Sequence, residues 1–506
     1  MGANIKTTMR RFITHTLSLL SLIILLGSCE RETKIIYAIG VDKNRVACTS
    51  QEQDVSITFS INAEFLAAGE TPQVTLSNGE WAEITNITNE SVTLHVSENT
   101  EENRSTLVTI AASGHQKASV TLTQYGTPPA EVNHTLMYLF LGTSLSRYFK
   151  DNIADATTAI ETGILCDNNR VLFFRQEGKT KGYIGELCYS SEGGECIEQR
   201  LEDIVIVGGQ ITPETVGEYI AAMAEYAPAK RYGMVCAGHG QAWLPRDVVN
   251  GKKDLSRFGV DGYHPWVQAA GAETTRAFGE DNVMLNIPEL ASAIEYSGVE
   301  LDYILFDACF MSNIETIYDL RNAANYIIAS PCEIMGKGFP YERTLPYLFT
   351  DNGNTTNYDG AAESYYKYYR DEYTQSARCG SIAVYDCAEI EALAEATKSV
   401  VVSAKEEYNA EELQTYEGKS KHEFYDFGEW ATVVATDSEA LADFNAQLEK
   451  TVIAKYTLTT FYSAYDTYGT YPINIDVYSG VTTSAPSEAY PNAWKQTNWY
   501  NYVWGE

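Results

Sequence analysis

The stretch Arg231-Tyr232-Gly233-Met234-Val235-Cys236-Ala237 runs into Gly238-His239-Gly240-Gln241-Ala242-Trp243, and Leu301-Asp302-Tyr303-Ile304-Leu305-Phe306 runs into Asp307-Ala308-Cys309-Phe310-Met311. Each reads as a short apolar strand that ends in a turn carrying a chemically capable side chain. Two further apolar runs lie upstream, His134 to Gly142 and Val171 to Phe174, and both suit strands buried on two faces. Between these segments Thr212 offers an N-cap with Pro213 in the first turn, and Val216, Ile220, Met223 and Ala227 recur at helical spacing. Strands alternating with amphipathic helices predict an α/β fold, a mainly parallel sheet with helices on both faces. In such sheets reactive groups gather at the carboxyl ends of the strands.

Parallel neighbours would set His239 and Cys309 side by side at that sheet edge. Thiol catalysis needs this pairing, because the thiolate is the nucleophile and an unassisted cysteine titrates near about 8.5. An imidazole takes the proton and later returns it to the leaving amine. Ser312-Asn313-Ile314-Glu315 has the form of a capping box, which predicts a helix start just after Cys309 whose positive end favours the thiolate. The Gly240 and Cys309 amides are the candidate oxyanion donors. On spacing alone, a buried core thiol near an unrelated histidine fits equally well. Cys236 lies inside its strand and reads as core, while Cys332, after Ala329-Ser330-Pro331, reads as a loop thiol or disulfide partner. There is no Gly-x-Ser-x-Gly elbow, no His-Glu-x-x-His and no Cys-x-x-Cys, so neither a serine nucleophile nor a zinc site is indicated.

The 506 residues suggest more than one domain, and 44% apolar content permits a sizeable core. Acids outnumber bases 68 to 36, and no Lys/Arg cluster supplies the local basic field that nucleic acid requires. At the N-terminus, Lys6, Arg10 and Arg11 precede an apolar run from Leu17 to Leu26 and then Gly27-Ser28-Cys29. This describes an export signal too short to span a bilayer, and the closing string resembles a lipobox with Cys29 as the lipidated first residue. The chain is therefore expected in the bacterial cell envelope, membrane-bound by lipid alone. Its removal takes away three bases and no acid, so the acidic excess grows. From about Cys48 to Gly126, Val55, Ile57, Phe59 and Ile61, then Val92, Leu94 and Val96, then Val120 and Leu122 alternate with polar residues, which predicts a small all-β sandwich. Gly126-Thr127-Pro128-Pro129-Ala130 reads as a stiff linker. Ten cysteines, one reserved for lipid, leave an odd number; Cys188/Cys196 and Cys379/Cys387 have loop-closing spacing, and reduced, buried thiols fit as well.

Arg104–Ile110 with Ala118–Gly126, ending Val120-Thr121-Leu122-Thr123-Gln124-Tyr125-Gly126, resembles BACON, the Bacteroidetes-associated carbohydrate-binding often N-terminal domain. That resemblance implies a spacer or a glycan- or mucin-binding module. Trp81, alone of its kind in the segment, makes a sugar-stacking platform the weaker of the two. The larger segment resembles the clostripain family of cysteine peptidases, in the caspase/gingipain-like clan. The resemblance rests on Gly238-His239-Gly240-x-x-Trp243, Asp307-Ala308-Cys309-Phe310-Met311-Ser312, Ala329-Ser330-Pro331-Cys332-Glu333, Gly336-Lys337-Gly338-Phe339-Pro340-Tyr341, Tyr425-Asp426-Phe427 and Ser479-Gly480-Val481. It implies a caspase-like sheet and a His239–Cys309 dyad in an endopeptidase for protein or peptide substrates. No cofactor is required for the chemistry, and some members hold calcium structurally. It divides the chain into signal (1–28), lipidated tether (29–47), sandwich (48–126), linker (127–133) and peptidase (134–506). The family prefers Arg or Lys before the scissile bond through acidic pocket residues. Asp307 matches one of them; the other position is occupied by Lys337, which would repel a basic side chain, and Glu333 is the candidate to compensate. The polar, Gly-rich segment from Leu244 to about Met284, with Arg246, Lys252, Lys253 and Arg257, is where an activating cut would fall if it is not simply a structural loop. The competing reading is a caspase-like surface protein without turnover, an adhesin for glycan or protein.

Overall fold

The unbroken apolar runs become the middle of one sheet. In the computed structural model, β1 (His134–Phe140), β2 (Asn169–Gly178), β3 (Lys181–Ser190), β4 (Glu195–Val205), β5 (Tyr232–Ala237), β6 (Leu301–Asp307), β7 (Ala324–Ala329), β8 (Ile382–Asp386) and β9 (Val452–Tyr456) pair in the order β4-β3-β2-β1-β5-β6-β7-β8-β9. The structure describes residues 37–41, 43–61, 71–101, 103–126, 130–162, 169–190, 194–246, 272–276, 284–349, 356–405, 407–466 and 469–505. The leader with Cys29, residues 127–129 of the linker, and Lys252, Lys253 and Arg257 lie outside the described residues. The five central strands are parallel, and the outer ones join antiparallel. All seven residues of β1 are buried, as a strand covered on both faces must be.

Helices provide that cover. On one face α1 (Ser146–Glu161) packs with the short Tyr341–Thr344 helix, which in turn meets Tyr358–Lys367. On the other, α2 (Pro213–Tyr226), α3 (Ile287–Ser297) and α4 (Ile314–Leu320) follow one another. The α2 start is the one the sequence predicts: Thr212 accepts from the Thr215 amide, Pro213 occupies the first turn, and Val216, Ile220 and Met223 are fully buried. The mixed α/β architecture agrees with the expected fold class. β3 and β4 are not among the strands expected from the sequence; β3 is buried from Gly182 to Leu187, whereas β4, at the sheet edge, exposes Glu195 and Ile197 to Arg200.

The N-terminal segment is all-β, with two four-stranded sheets closing on Val55, Ile57, Phe59, Val92, Leu94, Val96, Val108, Ile110, Val120 and Leu122. It is docked against the larger body. Arg45 forms ion pairs with Glu202 (2.9 Å) and Glu225 (2.8 Å), Tyr125 OH donates to Glu225, and Thr121 Oγ1 donates to the Asp203 carbonyl at the edge strand β4. The Trp81 ring is covered by the Arg104 guanidinium at 4.8 Å. The eight described cysteines, Cys188, Cys196, Cys379 and Cys387 among them, are free thiols.

Candidate active site

The register of β5 and β6 pairs Ala237 with Asp307, so His239 and Cys309 each lie two residues beyond the same rung. The turns that follow are tightly packed. A Cβ on Gly240 would fall 2.4 Å from the Cys309 carbonyl oxygen and 2.8 Å from its amide nitrogen, so no larger residue fits between the two motifs. Ala242 (φ 53°) and Phe310 (φ 63°) are the non-glycine residues with left-handed backbone among those described. Each follows a candidate catalytic residue closely, and such strain persists only where surrounding packing enforces it.

Cys309 is fully buried, and its Sγ accepts the Ile334 amide at 3.0 Å. Burial pushes the thiol well above its usual range and the nearby Glu333 adds to this, with only partial relief from the Ile334 N–H. The helix expected to support the thiolate begins later than the capping-box reading implies. Asn313 caps α4 by accepting from Thr316, whereas Ser312 Oγ donates to the Gly480 carbonyl and Glu315 is buried, accepting from Ser484 and Trp494. The amide of Ile334, not a helix end, faces the sulfur. His239 is half-buried, and its Nε2 lies 2.8 Å from Ser144 Oγ, in the turn after β1. Ser144 was not singled out from sequence, although a small polar residue just past a buried strand was the available signal.

The cleft beside these residues is filled by the chain itself. Residues 272–276 lie antiparallel to 334–336: the Gly336 amide donates to the Thr274 carbonyl (2.7 Å), Thr275 pairs with Met335, and the Arg276 amide donates to the Ile334 carbonyl (2.8 Å). The Arg276 carbonyl in turn accepts the Gly240 amide at 2.9 Å. The Arg276 side chain is fully buried and forms an ion pair with Asp307 at 2.9 Å. Its remaining donors reach Asn152 Oδ1 (2.7 Å) and the carbonyls of Gly336, Lys337 and Asp307. Asp307 is positioned by Tyr341 OH (2.7 Å) and the Phe339 amide (3.4 Å). At Gly338 (φ 74°), a Cβ would sit 2.3 Å from Arg276 Nη2 and 2.5 Å from Asp307 Oδ2, so glycine is needed there for both conformation and room.

Two sequence expectations change here. The Lys337 side chain turns away from the pocket to Asp155 (3.4 Å), and only its carbonyl faces the guanidinium, so its charge does not oppose a basic guest. Glu333 does not reach Arg276. It accepts instead from Thr275 Oγ1, Ser463 Oγ and the Ala464 amide, and burial pushes it up to about 7. Arg246, a candidate for an activating cut, is engaged by Glu289 and the Met284 carbonyl. Arg276 and Asn152 were missed; the pair Thr274-Thr275 before an arginine, strand-forming residues in a Gly-rich segment, was the clue for the former. Among the described residues no group of three or more His, Cys, Asp or Glu is arranged to hold a metal ion. An extended segment paired to an edge, an arginine in an acidic slot and its carbonyl on an amide beside a thiol together have the geometry of a peptide bound up to its scissile bond.

The clostripain-family model matches residues 261–476. A secreted C11 cysteine protease from Bacteroides thetaiotaomicron, iotapain, is 29% identical, with a TM-score of 0.63 over 74% of this chain and 100% of its own. An inactive zymogen C11 protease from Parabacteroides distasonis is 28% identical, with a TM-score of 0.61 over 74% of this chain and 99% of its own. A secreted C11 cysteine protease from B. thetaiotaomicron in complex with an irreversible peptide inhibitor, 24% identical with a TM-score of 0.59 over 73% of this chain and 98% of its own, shares the fold. No curated protein matches. Residues 261–476 thus match the clostripain (C11) family of cysteine peptidases, and over 74% of its length the chain is similar in structure to C11 proteases.

Proposed function

We propose that the protein is an endopeptidase that cleaves on the carboxyl side of arginine, with Cys309 as nucleophile and His239 as general base and then acid. The observation that carries this reading is Arg276, whose guanidinium meets Asp307 while its carbonyl accepts the Gly240 amide. His239 would take the Cys309 proton, and the sulfur would attack the arginine carbonyl carbon. The Gly240 N–H, with the Cys309 amide, would hold the developing oxyanion, and His239 would protonate the departing amine. Water then hydrolyses the thioester, regenerating the thiol and releasing a carboxylate. Ser144 holds the imidazole in place.

Its first substrate on this reading is the bond after its own Arg276, since until that bond is cut the strap fills the cleft and the thiol stays buried and protonated. The Parabacteroides neighbour is described as an inactive zymogen, and the occupied cleft supports the same state here. The leader supports an exported, lipid-anchored protein, in keeping with the secreted Bacteroides neighbour; among the described residues no helix is long and apolar enough to cross a membrane. The docked sandwich, with Trp81 covered, supports a rigid spacer over a glycan platform. Fluorogenic peptides ending in arginine test the activity: the wild-type chain hydrolyses them and Cys309→Ala does not. Equal turnover by that variant would end the proposal.

A further inference from the structure

The strap also reports on the position before the arginine. We propose that Glu333 forms the subsite for that residue and selects a hydroxyl side chain there, threonine foremost; this rests on the arginine-peptidase reading above. Thr275 Oγ1 donates to Glu333 Oε2 at 2.5 Å. The carboxylate is fixed from its other side, where Oε1 accepts Ser463 Oγ at 2.6 Å and the Ala464 amide at 2.9 Å. Glu333 and Thr275 are both buried, with Glu333 wholly so, and Glu333 leads directly into the 334–336 edge that pairs with the strap. The carboxyl is therefore held in one orientation by the fold, with one oxygen turned toward the guest.

When the strap leaves, Oε2 is a buried acceptor without its donor. A ligand that restores the donor is favoured over an isostere that does not, because the isostere leaves the acceptor desolvated and unpaired. Threonine and valine have nearly the same shape and differ in this one group, so they are the discriminating pair. A carboxylate in the same place would face Glu333 and, behind it, Glu417, which already raises the Glu333 carboxyl. Acidic residues before the arginine are thereby excluded. Serine supplies the hydroxyl without the methyl and falls between threonine and valine.

The test compares Glu-Thr-Xaa-Arg fluorogenic peptides with Xaa as Thr, Ser, Val or Asp, using the full chain after its own processing. A buried acceptor left without its donor predicts a Thr-over-Val ratio in kcat/KM of about ten- to a hundredfold. In Glu333→Gln, which keeps the size of the side chain, the ratio falls to within about threefold. Thr and Val peptides within twofold of each other in wild type, or an unchanged ratio in Glu333→Gln, overturn the proposal. A second arm needs no turnover. In Cys309→Ala, added trypsin nicks after Arg276; Thr275→Val speeds this about fivefold or more, whereas Thr275→Ser leaves it close to the parent. Equal nicking of both variants and parent also overturns it. If no peptide is hydrolysed at all, the peptidase reading falls, and the trypsin arm alone decides the role of Glu333.

Discussion

Replacing Asp307 with asparagine removes one charge and little else. The side chain keeps its size and its carbonyl oxygen, so Tyr341 OH and the Phe339 amide retain an acceptor. What is lost is the countercharge to a guanidinium that has no exposure to water and lies 2.9 Å away. Taking one partner from a buried pair costs about 3–5 kcal/mol, because the other charge stays buried and uncompensated. At about 1.4 kcal/mol per decade, kcat/KM for an arginine peptide should fall by roughly two to three and a half orders of magnitude. A matching citrulline peptide, uncharged and nearly isosteric, should change by less than about threefold, so the variant stops distinguishing the two. In the closed chain the same substitution destabilises the strap, and adding Arg276→Gln restores most of the lost stability, because no unpaired charge is then left. The assay is initial-rate hydrolysis of the two peptides, with urea unfolding of single and double variants. A folded Asp307→Asn protein that hydrolyses the arginine peptide within about threefold of wild type would refute the pocket assignment.

Gly240→Ala places a methyl against the Cys309 backbone, so peptide hydrolysis should fall by about a hundredfold or more, read as kcat with KM little changed. Gly338→Ala puts a methyl in the space of the Arg276 guanidinium; trypsin should then nick the chain after Arg276 faster, and arginine peptides should bind more weakly by KM. Stability should also depend on pH. Glu333 and Glu423 are pushed up by burial to about 7 and about 8, above the usual carboxylate range, so the folded state holds protons that the unfolded state releases. Their contribution is full below the unfolded values and is lost as pH rises, so the urea midpoint of the Cys309→Ala chain should fall between about pH 5 and 8. Glu333→Gln and Glu423→Gln together should flatten that slope. Lys337→Ala should leave the arginine preference within about threefold, since its ammonium faces Asp155.

Much of this was legible in the sequence because the buried strands are uniformly apolar. His134–Phe140, Tyr232–Ala237 and Leu301–Asp307 announce a sheet covered on both faces, and the candidate residues His239 and Cys309 lie just past two of them. Strand β4 was not legible, since an edge with one solvated face mixes Glu198 and Arg200 into its pattern, and β3 was not, since Gly182, Gly185 and Glu186 interrupt its apolar residues. The direction of Lys337 was likewise hidden. Its neighbours Gly336 and Gly338 say that backbone approaches the pocket, but only the fold brings Asp155 from α1 to draw the ammonium out. Arg276 was overlooked for a related reason: a segment without its own secondary structure gains its meaning from the edge it pairs with, and that edge, 334–336, is distant in sequence. The Ser312–Glu315 capping signal misled because Glu315 is claimed by Ser484 and Trp494 from the far C-terminus.

The proposed chemistry is attack by Cys309 on a carbonyl that an arginine in the Asp307 pocket presents. An arginyl chloromethyl ketone tests this directly on the full chain, before and after nicking behind Arg276, with the adduct located by peptide mass mapping. Cys309 should be alkylated stoichiometrically in the nicked protein, little in the closed one, and little by a norleucyl analogue in either. Equal labelling by the two reagents, or an adduct on a cysteine other than Cys309, would contradict it.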